Sequence, residues 1–239
     1  MNSKLRELLN MKNQPVAVLK TDAAPEGAMG FKPGAMGACL VGMLEAASKG
    51  RTAAFTEDTC GCGGGRAGLG FGSLDRGRLT PFLSTGTPET PGEFYKKTPA
   101  LAAAYLEGYP AASPAPCVVF KPLDQVTEDE RPVSVVFLVN ADQLSGLVTL
   151  AHYDTSDPNA VQVRFGAGCA QAVLFAMVDG EAGEDRCTVG LTDPSGRLRL
   201  SRDLLSFSVP WKRFLEMEAN AEGSFLTREA WTRLRPRIE

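Results

Sequence analysis

Gly37-Ala38-Cys39-Leu40-Val41-Gly42-Met43-Leu44-Glu45-Ala46-Ala47-Ser48-Lys49-Gly50 reads as a helix entered at a cysteine and stopped by a glycine eleven residues later. Leu40, Val41, Met43, Leu44 and Ala47 give it one apolar stripe at helical spacing. The next stretch, Thr52 to Asp58, is strand-like. The chain then repeats the pattern. Ala167-Gly168-Cys169 opens a run with Ala170, Val173, Leu174, Ala176 and Met177, a glycine stop again follows eleven residues on at Gly180, and Cys187 to Asp193 is strand-like. Upstream, Pro15-Val16-Ala17-Val18 matches Pro132-Val133-Ser134-Val135. Each copy therefore reads strand, glycine-rich loop, cysteine helix, glycine stop, strand. A direct repeat of this kind predicts two related halves about a pseudo-two-fold axis, with a cysteine at a helix N-terminus in each.

Outward from the repeat, helical and strand patterns alternate. Ser3 to Leu9 reads as a helix and Val16 to Leu19 as a strand, with a Pro/Gly-rich loop from Ala24 to Gly34. Ser73 to Pro91 is rich in breakers and reads as loop, and a helix follows between Pro91 and Gly108 with Phe94, Leu101, Ala104 and Tyr105 as its buried face. Pro116 to Phe120 and Val133 to Val139 read as strands, Asp142 to Leu150 as a helix, and Val161 to Phe165 and Leu205 to Val209 as further strands. Two amphipathic helices, Trp211 to Met217 and Thr227 to Leu234, close the chain, the second capped by Thr227 with Glu229 in its first turn. The fold class is α/β, of the mixed α+β kind, with mixed sheet pairing because the connections are short. The halves are residues 1–72 and 131–239, joined by a connector over 73–130.

At 239 residues and 44% hydrophobic, the chain is long enough to bury a substantial core. A net charge of −3 offers no basic footprint for nucleic acid or an anionic membrane, and no apolar run approaches spanning length. The N-terminal residues carry charges within an amphipathic pattern and lack the apolar core of a signal peptide, so a cytoplasmic location is expected. In that compartment a disulfide framework is disfavoured, and the six cysteines divide among core filling, metal binding and thiol chemistry.

Cys60-Gly61-Cys62-Gly63-Gly64-Gly65 places two soft ligands on an unobstructed backbone. Together with Cys39 and Cys169, whose positions at helix N-termini favour the thiolate, Cys60 and Cys62 form a candidate four-thiolate set for an iron–sulfur cluster or zinc, with an electron-transfer or redox-sensing role and a small-molecule or redox partner. Cys117 and Cys187 lie within apolar strands and read as fillers, Cys187 being the substitute if Cys60 is not a ligand. Two other readings use the same residues. Gly63, Gly64, Gly65 and Arg66 could form a nest for a small anionic ligand or cofactor, with the cysteines only packing. Alternatively, Cys39 or Cys169 is the nucleophile of a thiol enzyme. Gly63-x-Gly65-x-x-Gly68 satisfies a dinucleotide pattern, but a glycine-rich stretch makes such a match cheap. The one histidine, His152, stands near a helix end, where it caps carbonyls more readily than it serves a Cys–His dyad, and Asp58 and Asp193 read as turn formers ending equivalent strands.

The order of short motifs across nearly the whole chain resembles the prokaryotic domain of unknown function 169 family: Pro15-Val-x-Val18, Cys39 with Ala46-x-x-x-Gly50, Cys62-x-Gly-Gly-x-x-x-Leu69-Gly70, Pro132-Val-x-Val135, Gly168-Cys169 and Ser206-Phe-Ser-Val-Pro210. The resemblance implies a bacterial or archaeal cytosolic protein and brings no reaction with it. It also implies that cysteines at the positions of Cys39, Cys62 and Cys169 belong to the family pattern, Cys60 less firmly so.

Overall fold

The structure is a computed structural model and describes residues 1–34 and 37–238; Glu239, the last residue of the expected second half, lies outside them. Seven strands, β1 (Val16–Thr21), β2 (Ala53–Phe55), β3 (Cys117–Pro122), β4 (Ser134–Val139), β5 (Val161–Gln162), β6 (Cys187–Gly190) and β7 (Leu205–Pro210), form one sheet in the order β2-β3-β1-β4-β7-β6-β5. Every pairing is antiparallel except that of β5 with β6. The described helices are α1 (Lys4–Leu8), α2 (Leu40–Ser48), α3 (Gly63–Gly68), α4 (Arg76–Leu83), α5 (Pro99–Glu107), α6 (Ala141–Ala151), α7 (Phe175–Glu181), α8 (Pro194–Arg197), α9 (Trp211–Asn220) and α10 (Glu229–Leu234), with a π-helical turn over Ala170–Leu174 leading into α7. The mixed α/β class read from the sequence is the class observed.

Both sheet faces are covered, which is why the strands read as nearly continuous apolar runs rather than alternating ones. On one face Val16, Val18, Phe55, Val118, Phe120, Val136 and Leu138 pack under α2 and the π-helical turn. On the other, Ala17, Leu19, Val119, Phe137, Phe207 and Val209 pack against α1, α6, α9 and α10 through Leu5, Leu147, Phe214, Met217 and Trp231. A fully buried Leu or Phe side chain contributes about 1.5–3 kcal/mol by leaving water, so these two cores dominate the stability of the chain.

Read outward from its centre, the sheet runs β1, β3, β2 on one side and β4, β7, β6 on the other, with β1 and β4 paired antiparallel between Val16 and Val136. This order is compatible with two related halves. Cys39 is the residue before the first turn of α2, Cys169 stands just before the π-helical turn, and both helices lie on the same face. Gly50, at φ +96°, ends the first helix in a conformation that side chains rarely adopt.

Several local expectations differ from what is observed. The run Ser73 to Pro91, read as loop, contains α4: Asp75 accepts the N–H of Arg78 at 3.0 Å and caps the helix despite Gly77 and Pro81. The buried face of α5 is Ala102 and Leu106, whereas Leu101 is exposed and Phe94, at 67% exposure, precedes the helix. The glycine run is helical from Gly63 onward. β5 stops at Gln162, short of the expected Phe165, and just beyond it Arg164 pairs with Asp179 and Thr188. α10 begins at Glu229 with Arg228 at its N-cap, one residue beyond the cap expected at Thr227, which sits in a 3-10 turn.

Candidate functional site

Three of the four candidate ligand cysteines meet at one place. Cys39 precedes α2, Cys62 precedes α3 and Cys169 precedes the π-helical turn, and all three line one cavity of about 320 Å³. π-helical turns are rare and concentrate at functional sites, here directly after a cysteine. The loop leading into Cys169 is fixed by Asp193, whose Oδ2 accepts the N–H of Gly168 at 2.9 Å and the hydroxyl of Ser195 at 2.7 Å. Gln171, almost fully buried, locks the other side: its amide donates to Arg164 O and Thr192 Oγ1 and accepts from the Thr192 N–H at 2.9 Å. Asp193 therefore does more than end a strand.

The polarity of the site is set at Cys62. Its Sγ accepts the backbone N–H of Gly65 at 3.3 Å. The Cys169 thiol beside it is the largest influence on its ionisation, because a neighbouring S–H proton favours a negative sulfur, and the N–H groups of Gly65, Leu40 and Gly64 add to that effect against the opposing cost of burial. Together they pull the Cys62 thiol down to about 6. Cys169 moves the opposite way, well above the ordinary thiol range, because it faces the Cys62 sulfur and is buried. The arrangement favours the charged form at Cys62 and the protonated form at Cys169, at the junction of two helix starts.

Gly65 makes that junction possible. A Cβ there would come within 2.4 Å of Leu40 Cδ1 and 3.0 Å of Cys62 Sγ, so only glycine lets α3 approach the start of α2 closely enough to hold the sulfur. We expect Gly65→Ala to cost about 1–3 kcal/mol by overpacking and to raise the pH at which Cys62 ionises. Thermal unfolding and thiol titration check both, and a variant titrating like the wild type would show that the close approach is not needed.

Cys60 does not join the other three. It is buried outside the cavity, with its thiol directed at Cys62 O at 4.0 Å, and burial pushes it up to about 11. Cys117 and Cys187 are fully buried in the core on the opposite face of the sheet, where Cys187 is pushed up to about 12 by burial. His152 ends α6 on that opposite side, its Nδ1 2.8 Å from Val148 O, so the sheet separates it from Cys39, Cys62 and Cys169. Gly63, Gly64 and Gly65 form the first turn of α3, and Arg66 pairs with Glu57 at 2.7 Å. Asp58 lies exposed in a turn. Among the described residues no group of three or more His, Cys, Asp or Glu side chains is arranged to hold a metal ion.

Above the thiols the cavity is roofed by aromatic side chains that the sequence reading did not bring together. Tyr105 stacks edge-on against Phe165 at 4.9 Å and against Tyr109 at 5.8 Å, and Tyr95 lies between Phe82 and Phe165. The Tyr105 hydroxyl donates to Phe165 O at 3.2 Å, and burial pushes this phenol up to about 12. Lys96 stands over the Phe165 ring at 4.0 Å. Phe82 and Leu79 come from α4 and Leu106 from α5, giving a site whose floor is thiols and helix N-termini and whose walls are mainly apolar, with Asp193, Thr192 and Ser195 on one part of the lining.

The family model for domain of unknown function 169, described as uncharacterised ArCR, matches residues 4–220 of the chain. Searches of curated proteins and of solved structures found no match. No described helix is long and apolar enough to cross a membrane.

Proposed function

The chain belongs to the domain of unknown function 169 family, a membership that specifies no reaction, and from the geometry of the site we propose that the protein works through thiol chemistry centred on Cys62. The observation that carries this reading is the Cys62 sulfur, which accepts the Gly65 N–H before the first turn of α3 and lines one mainly apolar cavity together with Cys39 and Cys169, surroundings that lower its pKa. A sulfur so placed is ionised at neutral pH while its neighbour keeps a proton, which is the division of labour of nucleophile and acid. In the proposed step the Cys62 thiolate forms a bond to an electrophilic acyl carbon, the leaving group departs with its electron pair and takes the Cys169 proton, and water then cleaves the thioester, releasing the acid and returning a proton to Cys169. The nucleophile differs from the one expected from sequence, since Cys39 and Cys169 were the candidates and Cys62 is the sulfur that these surroundings activate.

A zinc ion or iron–sulfur cluster is the second reading, supported by the convergence of Cys39, Cys62 and Cys169 on one cavity. A closed four-thiolate site needs a fourth donor, and Cys60 is buried away from this cavity, so the residues fit that group less well than they fit a reactive thiol.

Iodoacetamide labelling of anaerobically purified protein, followed by mass mapping from about pH 5 to about pH 9, separates the two. Cys62 should be modified with a midpoint near 6, and a midpoint at the ordinary thiol value of about 8.5 would sink the thiolate reading. Stoichiometric zinc, or iron with sulfide, that is lost in Cys62→Ser and Cys169→Ser but kept in Cys117→Ser would transfer the assignment to the metal reading.

A further inference from the structure

Cys62 borders a second cavity as well as the roofed one. This wider space, about 540 Å³, has the backbone of Gly61, Gly63 and Gly72 along one side and the side chains of Arg66 and Arg78 among its walls. Cys62, Leu79 and Phe82 line both cavities, so α4 lies across the join. The two spaces differ in character. Tyr105, Tyr109 and Phe165 enclose the first, whose carboxylate, Asp193, is taken up by the Gly168 N–H and the Ser195 hydroxyl, whereas the second contains two guanidinium groups and one carboxylate, Asp75. That carboxylate is engaged in capping α4 through the Arg78 N–H, and Arg66 is paired with Glu57. The Arg78 side chain has no carboxylate partner among the described residues.

We infer that the electrophile served by Cys62 is amphiphilic, with an aromatic or alkyl arm in the roofed cavity and an anionic group in the wider one beside Arg78. The inference rests on the thiolate reading above and adds the class of substrate. An apolar arm gains by leaving water against the aromatic roof. A carboxylate or phosphate beside Arg78 meets a planar donor that carries no competing ion pair. The reacting atom of such a molecule then falls at the junction, where Cys62 stands.

Alkylation of the intact protein by three reagents tests this. Iodoacetamide is neutral, iodoacetate is its anionic counterpart, and N-phenyliodoacetamide adds an aromatic arm. The ratio of iodoacetate to iodoacetamide rates at Cys62, compared with the same ratio for glutathione, should be raised about five-fold or more by the local positive charge. It should fall towards the glutathione value in Arg78→Ala and in high salt, and recover in Arg78→Lys. N-phenyliodoacetamide should outpace iodoacetamide several-fold in the wild type, and Tyr105→Ala should remove that advantage. Arg78 is exposed on a helix with no buried residue, so the Arg78 variants are expected to fold, and the iodoacetamide midpoint at Cys62 checks that Tyr105→Ala keeps the site. If iodoacetamide labels Cys62 with a midpoint near 6 while both rate ratios match those of glutathione, the substrate class is wrong and the thiolate reading stands. If none of the three reagents labels Cys62, both fall.

Discussion

Cys169→Ala should move the ionisation midpoint of Cys62 upward by about one to two pH units, while Cys169→Ser should restore much of the wild-type value. The sign follows from which form the neighbour stabilises. The Cys169 thiol favours the charged Cys62 sulfur and is the largest influence holding it near 6, so removing the S–H removes stabilisation of the anion and more alkaline conditions are needed to form it. A serine hydroxyl supplies another donor at the same place. At about pH 6 the thiolate fraction would drop from about one half to between a tenth and a hundredth, an effect easily read by iodoacetamide labelling or by the ultraviolet absorbance of the thiolate. A midpoint that stays put in Cys169→Ala would show that the backbone N–H groups alone set the charge and that Cys169 has no part as acid.

Phe137→Ala should destabilise the protein by about 3–5 kcal/mol, a large share of the roughly 5–15 kcal/mol that separates folded from unfolded states. Phe137 is fully buried on β4, directly opposite Phe207 on β7, with the Phe214 ring of α9 at 6.1 Å. Truncation leaves a cavity bounded by two other large rings that cannot collapse into it without moving the sheet. Phe94→Ala, at a 67% exposed position, is the matched control and should fall within about 0.5 kcal/mol of wild type. Denaturant unfolding of the two variants checks the contrast, and a loss below about 1 kcal/mol for Phe137→Ala would mean that the core repacks far more readily than its geometry suggests.

The strands and the two cysteine helices were legible because their signals are local: valine-rich runs, apolar stripes and a glycine eleven residues after each cysteine. The convergence of Cys39 and Cys169 was also within reach, since a repeat about an axis brings equivalent helix starts together. What was not legible depends on contacts between distant segments. Three consecutive glycines argue against a helix on intrinsic propensity, yet α3 forms because its close packing on Leu40 outweighs that preference. α4 was hidden by Gly77 and Pro81, and it has no buried residue to advertise it. The aromatic roof draws on Tyr95, Tyr105, Tyr109 and Phe165, which no spacing rule connects. Likewise, the cysteine whose pKa is lowered could not be chosen from sequence, because the influences on Cys62 are N–H groups from two helix starts and a thiol more than a hundred residues further along the chain.

The position of β1 at the centre of the sheet also governs how the chain reaches its native state. Its partners are β3, paired from Val16 with Pro122 to Thr21 with Cys117, and β4, met through Val136, so both of its hydrogen-bonded edges wait for residues about a hundred positions later. During synthesis the strand leaves the ribosome long before either neighbour exists, with Val16 and Val18 bare on one face and Ala17 and Leu19 on the other. High contact order of this kind places folding in the slow regime, milliseconds to seconds rather than microseconds, and leaves apolar edges open to mispairing in the interval. The segment that carries Cys62 lies inside the loop that β1 and β3 must close, and Cys169 arrives later still. The surroundings of Cys62 are thus complete only after the sheet has joined, so a nascent or misfolded chain carries its cysteines without the environment that the proposed thiol chemistry needs.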